Sequence, residues 1–581
     1  MSISNPEQVL TEELKAKLMV PDEITGSEIL LRCLLLEGVD CVFGYPGGAV
    51  LYIYDAMHGN PDFHHLLTRH EQGAIHAADG YARTTGKAGV CIATSGPGAT
   101  NLVTGIATAY MDSVPLVVIT GNVASTLIGT DAFQEADITG ITLPVTKHSY
   151  LVRHVEDLPR IIHEAFHLAN TGRKGPVLID IPKDISNHKT VFKPVTEPVH
   201  IRGYNPTTDP NKAQVTKMLA AIAESERPVI LAGGGVVSAD AGYELLKFAE
   251  KTQIPVTTTL MGLGGFPSAH ELWMGMPGMH GTYTANKAIQ DADLLLCIGA
   301  RFDDRVTGNL NGFAPKAKIV HIDIDPAEIG KNVKVDIPVV GNVKNLLEYA
   351  NTKAKQAKSA AWLAHIQQSK LDYPLTYTDS DDELKPQYVI EMINESTKGE
   401  AIITTDVGQH QMWAAQFYKF QRPRSLVTSG GLGTMGFGFP SAIGAQMGNP
   451  DKLVVSINGD GGIQMCSQEL AVCAINNIPV KIVIINNQVL GMVRQWQELI
   501  YDKRYSHIDL QGSPDFVKLA EAYGVKGLRA STKEEAQKVW QEALDTPGPV
   551  LIDFRVRKYE NVYPMVAQGK TLDEMIMGDA E

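Results

Sequence analysis

The chain has 581 residues, of which 44% are hydrophobic and 20% charged, with a formal net charge of −14. That length exceeds what a single hydrophobic core organises, so about three to four domains are expected. Acidic and basic residues are mixed with no basic patch, which argues against a nucleic-acid partner, and no apolar run approaches the roughly 20 residues of a membrane span.

The opening MSISNPEQVLTEELKAKL is polar and lacks the apolar centre of a signal peptide. Short apolar runs stopped by Gly or Pro then alternate with helical patterns, the signature of α/β units with parallel sheets. Residues 24–190 form the first such unit, with CVFGYPGG, AGVCIATSGPG, VPLVVITG and GPVLIDIP as strands. The Pro-rich FKPVTEPVHIRGYNPTTDP leads into a second unit, residues 205–350, with RPVILAGGG, IPVTTTL, ADLLLCIGARFDD and AKIVHIDID. A helical and polar connector precedes the third unit, residues 385–560, with EAIITTDVG, KLVVSINGDGG, VKIVIINN and GPVLIDFRV. TSGPGATN in the first unit and TSGGLGTMG in the third each follow a strand, a weak internal echo. The fold class is therefore α/β, with three doubly wound parallel-sheet domains. Six cysteines without CxxC spacing, several of them in apolar runs, suit reduced thiols in a cytoplasmic protein.

In such sheets ligands bind beyond the carboxyl ends of strands. Asp460 stands at one end, flanked by Gly459, Gly461 and Gly462, which allow a tight turn and the approach of a bulky group. The next strand ends in Asn486-Asn487. Two hard oxygen donors at neighbouring strand ends, with room for phosphate oxygens, suit Mg²⁺. GDGG alone reads equally as an Asx turn; the paired asparagines after the very next strand favour the metal.

GDG followed by NN resembles the thiamin-diphosphate binding motif. The resemblance implies that Asp460, Asn487 and the backbone carbonyl of Val489 hold Mg²⁺. It also implies that Gly461, Gly462, Gln409 and His410 cradle the diphosphate. RHEQGAIHAADGYAR matches the family's activating-glutamate context, which makes Glu71 the carboxyl at the pyrimidine ring; standing alone it reads as a helix-start acid. GLGTMGFGFP supplies the Gly433 carbonyl for the amino group and Met435 as the apolar wedge between the rings.

RFDDRVTGNL, LMGLGGFP, GMHGTY, IVHIDIDPAEIGKN, IGTDAFQE and NNQVLGMVRQWQ together closely resemble the acetohydroxyacid (acetolactate) synthase catalytic subunit, from about Ile24 to Met565. The resemblance implies an N-terminal pyrimidine-binding domain, a central FAD-binding domain and a C-terminal diphosphate-binding domain. It implies FAD contacts from Arg173, Gly233, Gly234, Gly235, Leu260, Met261, Met279, His280, Gly281, Arg301, Asp323 and Ile324. The catabolic relatives, which lack FAD, also lack the RFDDR element. GGG after a strand suits close approach of a cofactor, yet it is not the GxGxxG fingerprint, so NAD is less favoured.

The expected reaction is decarboxylation of pyruvate and condensation of the two-carbon unit with a second pyruvate or with 2-ketobutyrate. Arg305 then matches the acceptor-carboxylate site, Trp496 the preference for 2-ketobutyrate, and Met492, Phe133 and Gln134 the pocket wall. Because Glu71 and Asp460 lie in different units, the family pattern implies a homodimer, with a homotetramer and a small regulatory subunit as further family expectations. The alternative is another enzyme using thiamin diphosphate and FAD, such as pyruvate oxidase, since a shared fold does not settle function.

Overall fold

The computed structural model describes residues 11–578, so Met1–Leu10 of the opening segment lie outside the described residues. In the first unit, β1 (Val42–Tyr45), β2 (His65–Leu67), β3 (Gly89–Ala93), β4 (Leu116–Asn122), β5 (His148–Leu151) and β6 (Pro176–Pro182) form one sheet in the order β2-β1-β3-β4-β6-β5. Every pairing in it is parallel. All residues of β3, β4 and β6 are buried, as a parallel sheet covered on both faces requires.

The middle sheet comprises β7 (Pro228–Ala232), β8 (Val256–Thr258), β9 (Leu294–Ile298), β10 (Lys318–Asp323) and β11 (Ile337–Val340), in the order β8-β7-β9-β10-β11. The third sheet contains β12 (Ile402–Thr405), β13 (Leu426–Thr428), β14 (Val454–Gly459), β15 (Lys481–Asn486), β16 (Lys526–Ala530) and β17 (Val550–Arg555). Its order, β13-β12-β14-β15-β17-β16, reproduces that of the first sheet strand for strand. The two units are thus of like topology, although TSGPG follows β3 and TSGGLG the edge strand β13, positions that do not correspond.

Seven helices position the functional residues: α1 (Glu71–Thr85), α2 (Val103–Asp112), α3 (Asp304–Thr307), α4 (Gln409–Phe417), α5 (Gly438–Gly448), α6 (Asp460–Ile463) and α7 (Gly491–Ile500). Helix α1 begins where the His70 ring accepts the Gln72 N–H at 3.1 Å. It ends at Gly86, whose left-handed φ of 80° closes the helix. Helix α5, GFPSAIGAQMG, is buried from Gly438 through Gln446. A helix without a polar face needs cover all round, and α1 supplies much of it.

Those two helices, one from each outer unit, touch backbone to backbone. A β-carbon placed on Gly444 would lie 1.7 Å from the Ala77 carbonyl oxygen, and one on Gly80 would lie 2.0 Å from that of Ser441. One continuous core consequently runs through both units, from Ala77, Cys91 and Ile106 to Phe439, Ile443 and Ile484. A second core joins the middle sheet to the third unit, including Ile230, Leu296, Val389 and Trp413. The six cysteines are buried and free of disulfides, and burial pushes the Cys33 thiol up to about 12.

Gly444→Ala is expected to destabilise the chain by about 3 kcal/mol, the upper range for overpacking a tight core. The clash is with backbone, which cannot rotate away. Chemical denaturation of the variant against the parent measures it.

Candidate active site

The carboxyl ends of β14 and β15 open into a cavity of about 90 Å³. Parallel register places Gly459 opposite Ile485, so Asp460, the first residue of α6, and Asn487 follow at adjacent strand ends. The cavity brings together Gln409, His410, Met435, Asp460, Gly461, Gly462, Asn487, Val489 and Met492. At Gly462 no side chain fits, because a β-carbon would lie 1.8 Å from Asp406 Oδ2.

Asp460 is buried, and its Oδ2 has no hydrogen-bond partner. Burial pushes this carboxyl up to about 7, with the backbone N–H groups of Asp460 and Gln488 acting against the shift. An unsatisfied buried acceptor costs about 1–3 kcal/mol, and a cation placed there would satisfy it. Asn487 Oδ1 accepts the Val489 N–H at 3.2 Å, so the Asx turn is present. Its amide stands 3.4 Å from Gln409 Oε1. Around Val489 a bridge to residue 509 is made by Leu490 N–H to Ile508 O and Leu510 N–H to Gln488 O, which leaves the Val489 carbonyl unused by the bridge. One carboxylate, one amide oxygen and one peptide carbonyl form an all-oxygen set that fits Mg²⁺.

His410 is held neutral, with burial bringing its imidazole down to about 3. Asp406, at the end of β12, was not singled out from the sequence. Its Oδ1 accepts Val407 N–H at 2.8 Å and Gly436 N–H at 2.9 Å, which anchors the loop after Met435. An acid directly after an apolar strand (AIITTD) is the same signal that marked Asp460.

The remaining expected residues lie outside this cavity. Glu71 occupies the first turn of α1, where Asn101 donates to its Oε2 at 3.0 Å. The segment before it is held by Glu469, which accepts the Arg69 N–H at 3.1 Å on each oxygen. Burial pushes the Glu469 carboxyl up to about 7, and backbone N–H groups of Arg69 and His70 oppose it. No periodicity or motif in SQEL signals this role. Phe133 is 88% exposed, and neighbouring Gln134 has a left-handed φ of 61°. Trp496 lies one turn beyond Met492 on α7, on the same half-buried face, while Arg494 and Gln495 are buried on the other. Gln495 holds α7 through Val562, accepting its N–H at 2.8 Å and donating to its carbonyl at 2.9 Å. Gly433 is exposed at φ 69°, two residues before Met435. Arg305, on α3, is 56% exposed and pairs with Asp304 at 3.1 Å.

A second cavity, of about 300 Å³, lies where the middle sheet meets the first unit. Of the expected cofactor residues it gathers Arg173, Gly234, Gly235, Met261, Arg301, Asp323 and Ile324. Gly233 stands behind them, donating to Ile298 O at 2.9 Å. Leu260 lies outside the lining. Met279, His280 and Gly281 lie outside the lining as well: Val566 N–H reaches Met279 O at 2.8 Å, Gln416 of α4 reaches His280 O at 3.0 Å, and Gly281 N–H bonds Gly278 O at 2.9 Å. Cations (Arg173, Lys174, Arg301), a glycine turn and the buried Asp323 carboxyl, pushed up to about 6 by burial, share this cavity. Those groups fit a dinucleotide, whose diphosphate takes N–H donors and whose ribose takes an acid. Asp112 and Ser113, which follow no recognised glycine pattern, also line it.

Family comparison agrees with this geometry. Three thiamine pyrophosphate enzyme models match the chain: the N-terminal TPP binding domain over residues 24–141, the central domain over 215–349 and the C-terminal TPP binding domain over 406–554. Fold and site thus define a thiamine pyrophosphate enzyme. The chain is 51% identical over 565 residues to the acetolactate synthase of Mycobacterium bovis, covering 95% of this chain and 91% of the relative. It is 48% identical to the acetolactate synthase large subunit of Haemophilus influenzae, covering 96% and 98%. With the probable acetolactate synthase large subunit of Methanocaldococcus jannaschii it shares 52%, covering 95% of each. The chain belongs to the acetolactate synthase large-subunit family.

Asp460→Ala is expected to weaken magnesium-dependent binding of thiamin diphosphate by about 3 kcal/mol, or about 100-fold. Titration calorimetry of the cofactor-free chain with thiamin diphosphate and Mg²⁺ checks this; unchanged affinity removes Asp460 from the ligand set.

Proposed function

We propose that this chain decarboxylates pyruvate and joins the two-carbon unit to a second 2-keto acid, giving 2-acetolactate from pyruvate or 2-aceto-2-hydroxybutyrate from 2-ketobutyrate. The observation that carries this reading is the unpartnered Asp460 Oδ2 beside Asn487 at the ends of β14 and β15, in a chain of this family. Thiamin diphosphate, when bound, supplies the electron sink for decarboxylation.

The chain's own residues do the rest. Asp460, Asn487 and the Val489 carbonyl would hold Mg²⁺. The Gly461 and Gly462 amides, with Gln409 and His410, would hold the diphosphate. Met435 would pack against the coenzyme and Gly433 would offer its carbonyl to the amino group. Glu71 holds a proton at the pyrimidine nitrogen. Arg305 takes the acceptor carboxylate through two parallel bonds. Trp496, Met492 and Phe133, with Gln134, shape the acceptor pocket and keep water from the condensation. FAD would occupy the central cavity against Arg173, Gly234, Gly235, Arg301 and Asp323.

A homodimer completes the site in this reading. The cavity at Asp460 is about 90 Å³, far below the roughly 300 Å³ of ligand-enclosing pockets. Glu71 and the 88% exposed Phe133 stand outside it, free to serve a second copy's site. A homotetramer and a regulatory subunit belong to the same proposal, the latter supported by the large-subunit name of the Haemophilus relative. Among the described residues no helix is long and apolar enough to cross a membrane. The buried free cysteines support a cytoplasmic location.

Supplied with pyruvate and 2-ketobutyrate together, the enzyme is expected to form both products while its flavin stays oxidised; flavin reduction during turnover would indicate a pyruvate oxidase instead. Trp496→Leu is expected to lower the share of 2-aceto-2-hydroxybutyrate about 10-fold, within the range for one methylene of selectivity. An unchanged product ratio excludes Trp496 from specificity. Glu71→Gln is expected to lower kcat at least about 100-fold while magnesium-dependent coenzyme binding persists.

A further inference from the structure

Three units meet at one carboxylate. Asp112 closes α2, and its side chain is 0% exposed. Its Oδ2 accepts from Arg83 Nη2 at 2.9 Å and from Gly430 N–H at 3.1 Å, and its Oδ1 accepts from Gly431 N–H at 2.7 Å. Arg83, also paired with Asp79, donates to the Thr428 carbonyl at 2.9 Å. One turn back on α2, the Thr108 hydroxyl meets that of Thr434 at 2.7 Å. Helices α1 and α2 of the first unit thereby grip the segment 428–434, directly before Met435.

The middle unit leans on the same segment from the other side. A β-carbon on Gly430 would lie 2.4 Å from Met261 Sδ, and one on Gly431 would lie 3.3 Å from Arg301 Nη2. Asp112, Met261 and Arg301 all line the 300 Å³ central cavity, whereas Met435 lines the cavity at Asp460. A Gly-Gly pair has wide backbone freedom, so its conformation is set by what holds its two N–H groups. Here those are two charge-assisted bonds to a buried carboxylate, the stronger kind.

We propose that Asp112 is a positioning residue that fixes the 430–435 segment for coenzyme binding and, through its place in the central cavity wall, couples the two cofactor sites. Filling the central cavity then tightens thiamin diphosphate binding, and by linkage thiamin diphosphate tightens FAD binding by the same factor. This rests on the reading that the thiamin coenzyme stands against Met435.

The test uses the full-length chain freed of cofactors and titration calorimetry of thiamin diphosphate in Mg²⁺, with and without FAD. In the parent chain FAD is expected to raise thiamin diphosphate affinity about 10-fold, with the reciprocal effect on FAD. Asp112→Asn should lose most of that ratio while still binding FAD. Thr108→Val, which removes one neutral bond to the same segment, should reduce the ratio in the same direction and serves if the first variant does not fold. Parent affinities independent of one another, or a coupling ratio unchanged in the variants, overturn the proposal. No thiamin diphosphate binding to the parent under any condition would overturn the proposed function instead.

Discussion

Helices α1 and α5 approach so closely that glycine is required on both sides, at Gly80 and Gly444. Backbone packed on backbone leaves no side chain to adjust, so the relation between the two outer units is set rigidly. The Glu469 bond to Arg69 N–H and the Asp112 bonds to Gly430 and Gly431 flank this contact. Each ties a loop of one outer unit to an acid of the other. The segment that leads into Glu71 and the one that leads into Met435 are therefore both held from across the junction.

The cavity at Asp460 shows how a site is kept ready at a cost in stability. Asp460 Oδ2 and Asp406 Oδ2 are buried without partners, unlike other buried acids of the sheets. Asp180, for example, takes the Thr120 hydroxyl at 2.7 Å and the Asn122 amide. Unpartnered acceptors at the mouth of a parallel sheet are what a cation would satisfy, in keeping with the family to which the chain belongs.

The interior strands were legible because an apolar run between glycines has few other uses: β1, β3, β4 and β6, β7, β9 and β10, and β12, β14, β15 and β17 all correspond to runs read in the sequence. Those missed, β2, β5, β11, β13 and β16, are all edge strands, while the sixth edge strand, β8, was read as IPVTTTL. One flank of an edge strand faces solvent or loops, so its pattern turns polar, as in the part-exposed His148–Leu151 and Lys526–Ala530. The same logic divides the site. Asp460 and Asn487 sit on adjacent strands, so their spacing in the chain carries their meeting in space. Glu469 and Asp112 act on partners 400 and more than 300 residues away, which no local pattern can announce. Met279 and His280, expected at the flavin by resemblance alone, are also bonded by Val566 and Gln416. Arg305 stands at the surface on its neighbour Asp304.

The contact between Gly80 and Gly444 also bears on how the chain is made. About 360 residues separate the two glycines, which at roughly 5–20 residues per second is about 20–70 s of synthesis. During that interval the nascent N-terminal third leaves the ribosome with the Ala77 and Gly80 face of its helix uncovered, because the helix that covers it has not been translated. How long that surface waits for its cover is set by the order in which the units are encoded.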